Sequence, residues 1–168
     1  VSYLQTYPAE IMTLYRELLI GVTSFFRDLE AMQELGRNWI PEVLKRARNR
    51  EIRFWVPGCS SGEEAYTIAI LLHQHAEQLN EVPDIKIFGT DIDLEAIQTA
   101  RRGVYPTASA ADIPPEYLRR YFRVVEGEYQ VVKAIRSLVL FAPQNALSDP
   151  PFSNLELVSC RNLLIYLQ

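Results

Sequence analysis

Cysteine is scarce in this chain, and the two present, Cys59 and Cys160, lie far apart with no metal-ligand spacing around them. That count excludes a disulfide-built fold and fits two reduced thiols in a cytoplasmic protein. Histidine is equally rare. His73 and His75 stand two apart in a helical stretch, where they face different sides and make no metal pair. Long apolar runs are absent, and none approaches the ~20 residues that a bilayer span needs. Basic excess is missing too: 17 Lys and Arg against 21 Asp and Glu leave a net charge of -4, which argues against a general nucleic-acid binder. One local basic run, Lys45-Arg46-Ala47-Arg48-Asn49-Arg50, is the exception. The start, Val1-Ser2-Tyr3-Leu4, has no basic or apolar leader character and no initiator Met, so an excised piece of a longer protein is expected. There is no internal repeat and no low-complexity segment.

What is there suits one domain with at most a short appendage: 168 residues, 48% of them hydrophobic. Pro8 and the spacing of Ile11, Leu14, Tyr15 and Leu18 predict a first helix that ends near Gly21. Residues 28–48 predict two short amphipathic helices divided before Pro41. The pattern then changes. Ile52-Arg53-Phe54-Trp55-Val56 reads as a strand closed by Pro57-Gly58, and a helix is expected over about 63–78. A second strand over 85–90 and a helix over 93–102 complete the βαβ alternation of a parallel α/β sheet. A loop and a short helix opened by Pro114-Pro115 follow. Three short runs over 122–125, 129–132 and 138–141 read as a small antiparallel insertion leading back into the main sheet, with a tight turn at Glu126-Gly127-Glu128. A later core strand is expected over 155–160, and a helix from Asn162 to Gln168.

Chemistry concentrates at the ends of the strands. The turn Pro57-Gly58-Cys59-Ser60-Ser61-Gly62-Glu63-Glu64 joins the first strand to a helix N-terminus, where glycines let a ligand approach backbone closely. In doubly wound folds ligands bind at such carboxyl ends. The turn is not G-x-G-x-x-G, and two acids at the helix start repel phosphate. They suit a cationic ligand such as an amino acid bearing a sulfonium, or they simply favour the helix dipole. Thr90-Asp91-Ile92-Asp93 ends the second strand, where an acid can accept ribose hydroxyls. Asp93 is the better helix cap, which leaves Asp91 as the ribose candidate. Trp39 and Trp55 read as core or domain-contact residues. Arg101 and Arg102 suit a helix end, while Arg119, Arg120 and Arg123 either form a solvated face or attract an acidic protein.

Five segments occur in one order: Gly21-Val22-Thr23-Ser24-Phe25-Phe26-Arg27, the turn from Gly58 to Tyr66, Thr90-Asp91-Ile92-Asp93, Gly103-Val104-Tyr105, and Cys160-Arg161-Asn162-Leu163-Leu164-Ile165-Tyr166. From about Leu18 onward this arrangement resembles the CheR-type protein-glutamate O-methyltransferases of bacterial chemotaxis, closest to the variant fused to methylesterase or sensory domains. The resemblance implies a Rossmann-like methyltransferase sheet with helices on both faces, a β subdomain at about 117–141, and last strands that lie beyond this chain. It assigns 1–20 to a helical connector or a remnant of an N-terminal helical domain, and 21–168 to the methyltransferase domain.

It also implies S-adenosylmethionine as cofactor, with S-adenosylhomocysteine as product, and a cytoplasmic chemoreceptor or other signalling protein as partner. No nucleic acid, membrane insertion or metal is implied. Residue by residue, Thr23 and Arg27 match the segment that reaches over the cofactor and active site, and Gly58 matches the cofactor turn. Glu64 matches the acid on the methionine amino group, Asp91 the acid on the ribose, and Asn145 and Ala146 the pair beside adenine. Cys160 and Arg161 match residues near the methionine moiety, and Tyr166 a tyrosine facing the methyl group. Gly21 replaces a common Asn and Ala146 a common Leu. Arg27 and Tyr166 are therefore the catalytic candidates, with Arg27 holding either the acceptor carboxylate or the cofactor's own. Three rivals stand beside this reading: a small-molecule methyltransferase, a non-catalytic cofactor-binding sensor or interaction module, and a nicotinamide oxidoreductase, against which the glycine spacing weighs.

Overall fold

The computed structural model describes residues 23–47 and 50–164; the expected helices over 8–20 and 162–168 and the catalytic candidate Tyr166 fall wholly or mostly outside them. Among the described residues, seven strands and six α-helices follow one another: α1 (Leu29–Glu34), α2 (Ile40–Arg46), β1 (Glu51–Pro57), α3 (Glu63–Ala76), β2 (Asp84–Asp91), α4 (Leu94–Arg102), β3 (Val104–Tyr105), α5 (Pro115–Tyr121), β4 (Phe122–Val125), β5 (Glu128–Val131), α6 (Lys133–Arg136), β6 (Val139–Pro143) and β7 (Leu157–Val158). A π turn over Leu35–Trp39 joins α1 to α2. Pro41 has no N–H for the carbonyl one turn back, and the chain widens just before it.

The main sheet is parallel, in the order β6-β2-β1-β7. Counted along the chain, its strands run third, second, first, fourth, so the order reverses between β1 and β7. That reversal is the switch point where doubly wound sheets open a crevice. β1 is buried along nearly its whole length, as a central parallel strand must be. Ile52, Phe54 and Val56 on one face meet the helices, with Trp39 edge-on to Phe54 at 6.2 Å. The other face carries Trp55 and Phe88, and Phe152 from the connection before β7 lies on both, stacked on Phe88 at 4.2 Å. The parallel sheet is thus flanked by helices, as expected.

A second sheet has the order β3-β5-β4, antiparallel throughout. Two of its strands are the hairpin expected from the sequence. Its turn uses consecutive left-handed residues, Glu126 (φ 52°) and Gly127 (φ 84°), the geometry that matches strand twist. The run over 138–141 is not part of this insertion. It forms β6 and pairs in parallel with β2, from Ile87–Val139 to Asp91–Pro143. Its inward residues Val139 and Phe141 are buried, and a buried parallel edge takes such a run better than a solvated hairpin does. The third strand of the insertion is instead Val104-Tyr105.

Candidate functional site

The carboxyl ends of β1, β2 and β7 converge around the turn over 57–62. Its shape depends on Gly62, at φ 96°, where an added Cβ would stand 2.8 Å from the Ala100 Cβ and 2.9 Å from the Phe141 ring. Neither the backbone nor the space accepts a side chain there. Ser60 takes φ 48° without being glycine, an energetic cost of the kind concentrated at ligand sites. Cys59 points inward. Burial, with Asp91 nearby, pushes its thiol well above the usual range, so it is an inert core group.

Asp91 ends β2 and is held from two sides. The Ser60 N–H donates to its Oδ2 at 2.8 Å, and the Asp93 N–H donates to its Oδ1 at 2.9 Å. Each oxygen keeps a second lone pair, so the carboxylate is fixed in direction and can still accept from a vicinal diol. Asp93 has a different task. Its Oδ1 accepts the N–H groups of Glu95 and Ala96, a helix N-cap. Asp93 is therefore the helix cap, and Asp91 keeps acceptor capacity for another group.

The two glutamates divide as well. Glu63 turns into the core, 7% exposed, where the Ser61 hydroxyl donates to both its oxygens at 2.9 and 2.8 Å. Glu64 turns toward β7. The Ser159 hydroxyl donates to its Oε1 at 2.6 Å, and Arg161 Nη1 lies 3.5 Å from its Oε2. Burial pushes the Glu64 carboxyl up, opposed by the Ser159 bond and by the charges of Arg161 and Arg27.

Arg161 does more than sit beside a ligand. Its Nη2 donates to the Arg27 carbonyl at 3.0 Å and pairs with Asp28, so it fastens the 25–28 segment to the end of β7. That segment is an elbow: Phe26 (φ 51°) and Asp28 (φ 55°) are both left-handed and flank Arg27. Phe26 is pinned by its N–H on Thr67 Oγ1 at 3.1 Å and by stacking on Tyr117 at 5.0 Å. Phe25 goes the other way, edge-on to Tyr105 at 4.8 Å and to Phe122 at 5.2 Å. The two rings bury, and the half-buried Arg27 that follows them belongs to the charge field of Glu64. Thr23 is half-buried at the start of the described chain.

Cys160 is partly buried, and its thiol is pushed up by burial and then by Glu64. Asn145 and Ala146 follow β6 at the same end of the sheet and are exposed. The Asn145 Oδ1 accepts the Leu147 N–H at 3.0 Å, so that oxygen already shapes the local turn. The structure thus groups Arg27, Glu64, Cys160 and Arg161 on one side of the cofactor turn and Asp91 under it. Asp28, Ser159, Ser60 and Tyr105 were not singled out in the sequence. Asp28 and Ser159 adjoin Arg27 and Cys160, and that adjacency was their only signal.

S-adenosylmethionine presents an α-amino acid zwitterion at one end and a nucleoside at the other. Glu64 fits the ammonium. The buried Nη1 of Arg161, without a hydrogen-bond partner among the described residues, fits a carboxylate. Asp91 fits the ribose hydroxyls, and the glycine turn lies between. No group of three or more metal-ligating side chains exists among the described residues, nor is any described helix long and apolar enough to cross a membrane.

Comparison with known proteins identifies the family. The chain is 32% identical over 161 residues to chemotaxis protein methyltransferase 2 of Vibrio cholerae, covering 94% of this chain and 56% of that protein. It is 32% identical over 167 residues to the chemotaxis protein methyltransferase of Escherichia coli, covering 94% and 54%. An uncharacterized 104.1 kDa protein of Rhodobacter capsulatus is 44% identical over 158 residues, 94% of this chain and 17% of its own length. The chain therefore spans about half the length of the two chemotaxis relatives and a smaller part of the third. The family model described as CheR methyltransferase, SAM binding domain, matches residues 21–168, and the chain belongs to that family, whose cofactor is S-adenosylmethionine.

Proposed function

We propose that the protein carrying this domain transfers a methyl group from S-adenosylmethionine to glutamate side chains of a cytoplasmic chemoreceptor or related signalling protein, forming methyl esters. The observation that carries this reading is the fastening of the Arg27 elbow, through Arg161, to the strand end where Glu64 lies. The Arg27 charge acts on Glu64, which supports a guanidinium close to where an acceptor carboxylate would have to lie.

When bound, the cofactor supplies a methyl group activated by its sulfonium. The chain's residues do the rest. Glu64 holds the ammonium, Arg161 supports the carboxylate, and Asp91 fixes the ribose. A glutamate of pKa ~4.3 is already ionised at neutral pH, so the acceptor needs no general base. It needs alignment and loss of water, which Arg27 supplies by a fork of N–H donors on the carboxylate. Arg27 thus positions the acceptor rather than raising its nucleophilicity. Tyr166 is assigned the screening role on the family resemblance.

A protein acceptor fits better than a small molecule because of the second sheet. β4 is its terminal strand among the described residues, with Val124 67% exposed. An exposed edge of this kind takes an extended peptide by main-chain pairing. The rival of another class, a non-catalytic sensor, would bind the cofactor and transfer nothing.

The deciding experiment pairs labelled-methyl transfer to receptor protein with cofactor titration, on the full-length chain. Arg27→Ala and Tyr166→Phe are expected to lower the methylation rate about 10²-fold, the cost of misplacing a reacting group by about 1 Å, with cofactor affinity changing much less. Equal losses of rate and affinity in Arg27→Ala would move Arg27 onto the cofactor's carboxylate. Normal rates in both variants would remove these residues from the mechanism, and cofactor binding without transfer by the parent would favour the sensor.

A further inference from the structure

One buried side chain ties three parts of the molecule together, and the mechanism above does not use it. Tyr105 lies on β3 of the small sheet and is 2% exposed. Its hydroxyl donates to the Ser61 carbonyl at 2.7 Å, inside the cofactor turn. Its ring takes the edge of Phe25, the first residue of the Arg27 elbow, at 4.8 Å. Phe25 in turn meets Phe122, where β4 begins.

The turn is thereby held between two fixed points. On one side the Ser60 N–H is committed to Asp91, and on the other the Ser61 carbonyl is committed to Tyr105. The Ser61 hydroxyl adds the buried Glu63 carboxylate, which starts α3. A buried phenol usually takes a hydrogen-bond partner, and here the partner is a backbone carbonyl in the four-residue strap Cys59 to Gly62. A shift of that carbonyl moves the neighbouring Ser60 N–H and with it the direction of Asp91.

We propose that Tyr105 is a positioning residue, which through its hydroxyl on Ser61 and its ring on Phe25 sets the cofactor turn and the Arg27 elbow in register with the small sheet. Its role runs through the Ser61 carbonyl and the Phe25 ring. The small sheet thereby forms part of the frame of the active site as well as a surface for a partner. The catalytic half of this proposal rests on the methyltransferase reading. The cofactor half does not.

The test is Tyr105→Phe in the full-length chain, which keeps the ring and deletes the hydroxyl. Tyr121→Phe is the control: Tyr121 is equally buried beside the same sheet, and its hydroxyl has no hydrogen-bond partner among the described residues. Three readouts are taken on folded protein: S-adenosylhomocysteine affinity, kcat and acceptor KM for methyl transfer, and amide hydrogen exchange at Ser60. Tyr105→Phe is expected to weaken the ligand several-fold, lower kcat about tenfold or more with acceptor KM little changed, and speed Ser60 exchange. Tyr121→Phe is expected to change none of these.

Affinity, kcat and Ser60 exchange all within twofold of the parent in Tyr105→Phe would overturn the proposal. So would equal losses in both variants, since that pattern marks general destabilisation. If the parent binds the ligand but methylates no receptor, the methyltransferase reading fails, while ligand affinity and Ser60 exchange still decide for or against Tyr105. Glu63→Gln, which perturbs the same strap at constant volume, is the second variant should Tyr105→Phe not fold. It is expected to move the same readouts in the same direction, and unchanged values in it would overturn the proposal too.

Discussion

Glu64 couples stability to the ammonium-holding role proposed for it. Burial raises its folded-state pKa above the ordinary carboxylate value, so between those two values the folded chain binds more protons than the unfolded one. Its ionisation therefore opposes folding as pH rises through that window, and the opposing contribution stays constant above it. Binding runs the other way. An ammonium needs the charged carboxylate, so cofactor affinity should rise with pH through the raised pKa and level off above it. Titrations that begin at the ordinary carboxylate value and run upward are expected to show this rise in the parent. Glu64→Gln, weaker throughout, is expected to show it lost or much reduced. A slope unchanged in Glu64→Gln would place the ammonium elsewhere.

At the scale of elements, the aspartates at the end of β2 offer a clean separation. Asp93→Ala deletes the cap of α4 and should cost about 1 kcal/mol of stability with little effect on the ligand. Asp91→Asn should weaken cofactor binding by about 1.5–3 kcal/mol, the range for hydrogen bonds to charged groups. Chemical denaturation and calorimetry on both variants check the pair, and a reversed pattern would exchange the roles. This division was legible in the sequence because a cap and a strand-end acid have distinct positions relative to an apolar run. So were β1, α3, β2 and α4, whose periods change cleanly from two to 3.6. The placement of 138–141 was not, since an alternating buried run pairs equally well in either sheet until its neighbours are known. The Arg27 elbow was legible only as a motif. Of its two left-handed residues, Asp28 is a type that tolerates positive φ, but the bulky Phe26 is not one that announces it. Contacts separated by over a hundred residues, such as that of Arg161 with Asp28, leave no local trace at all.

For the whole molecule, the strand order decides which ligand the crevice accepts. The sheet reverses between β1 and β7, so a ligand at that reversal would meet the 57–62 turn on one side and Ser159 to Arg161 on the other. A dinucleotide would put a pyrophosphate on the N-terminus of α3, which needs glycines at G-x-G-x-x-G spacing and no carboxylate in the way. Here the first turn of α3 holds Glu63 and Glu64. Glu64 faces the crevice side that carries Arg161, an arrangement for a zwitterion rather than a polyanion. The molecule should therefore discriminate by charge even though both ligands share a ribose for Asp91. With S-adenosylhomocysteine at 100 times its dissociation constant, linkage predicts about 2.7 kcal/mol of added stability, seen as a raised melting temperature. NAD at the same concentration is expected to leave melting unchanged. The comparison is made by calorimetry on chain shown to be folded, at two salt concentrations, because repulsion between pyrophosphate and the two glutamates would be screened by salt. Stabilisation by NAD with none from S-adenosylhomocysteine would mean that the acids at the start of α3 do not govern the crevice.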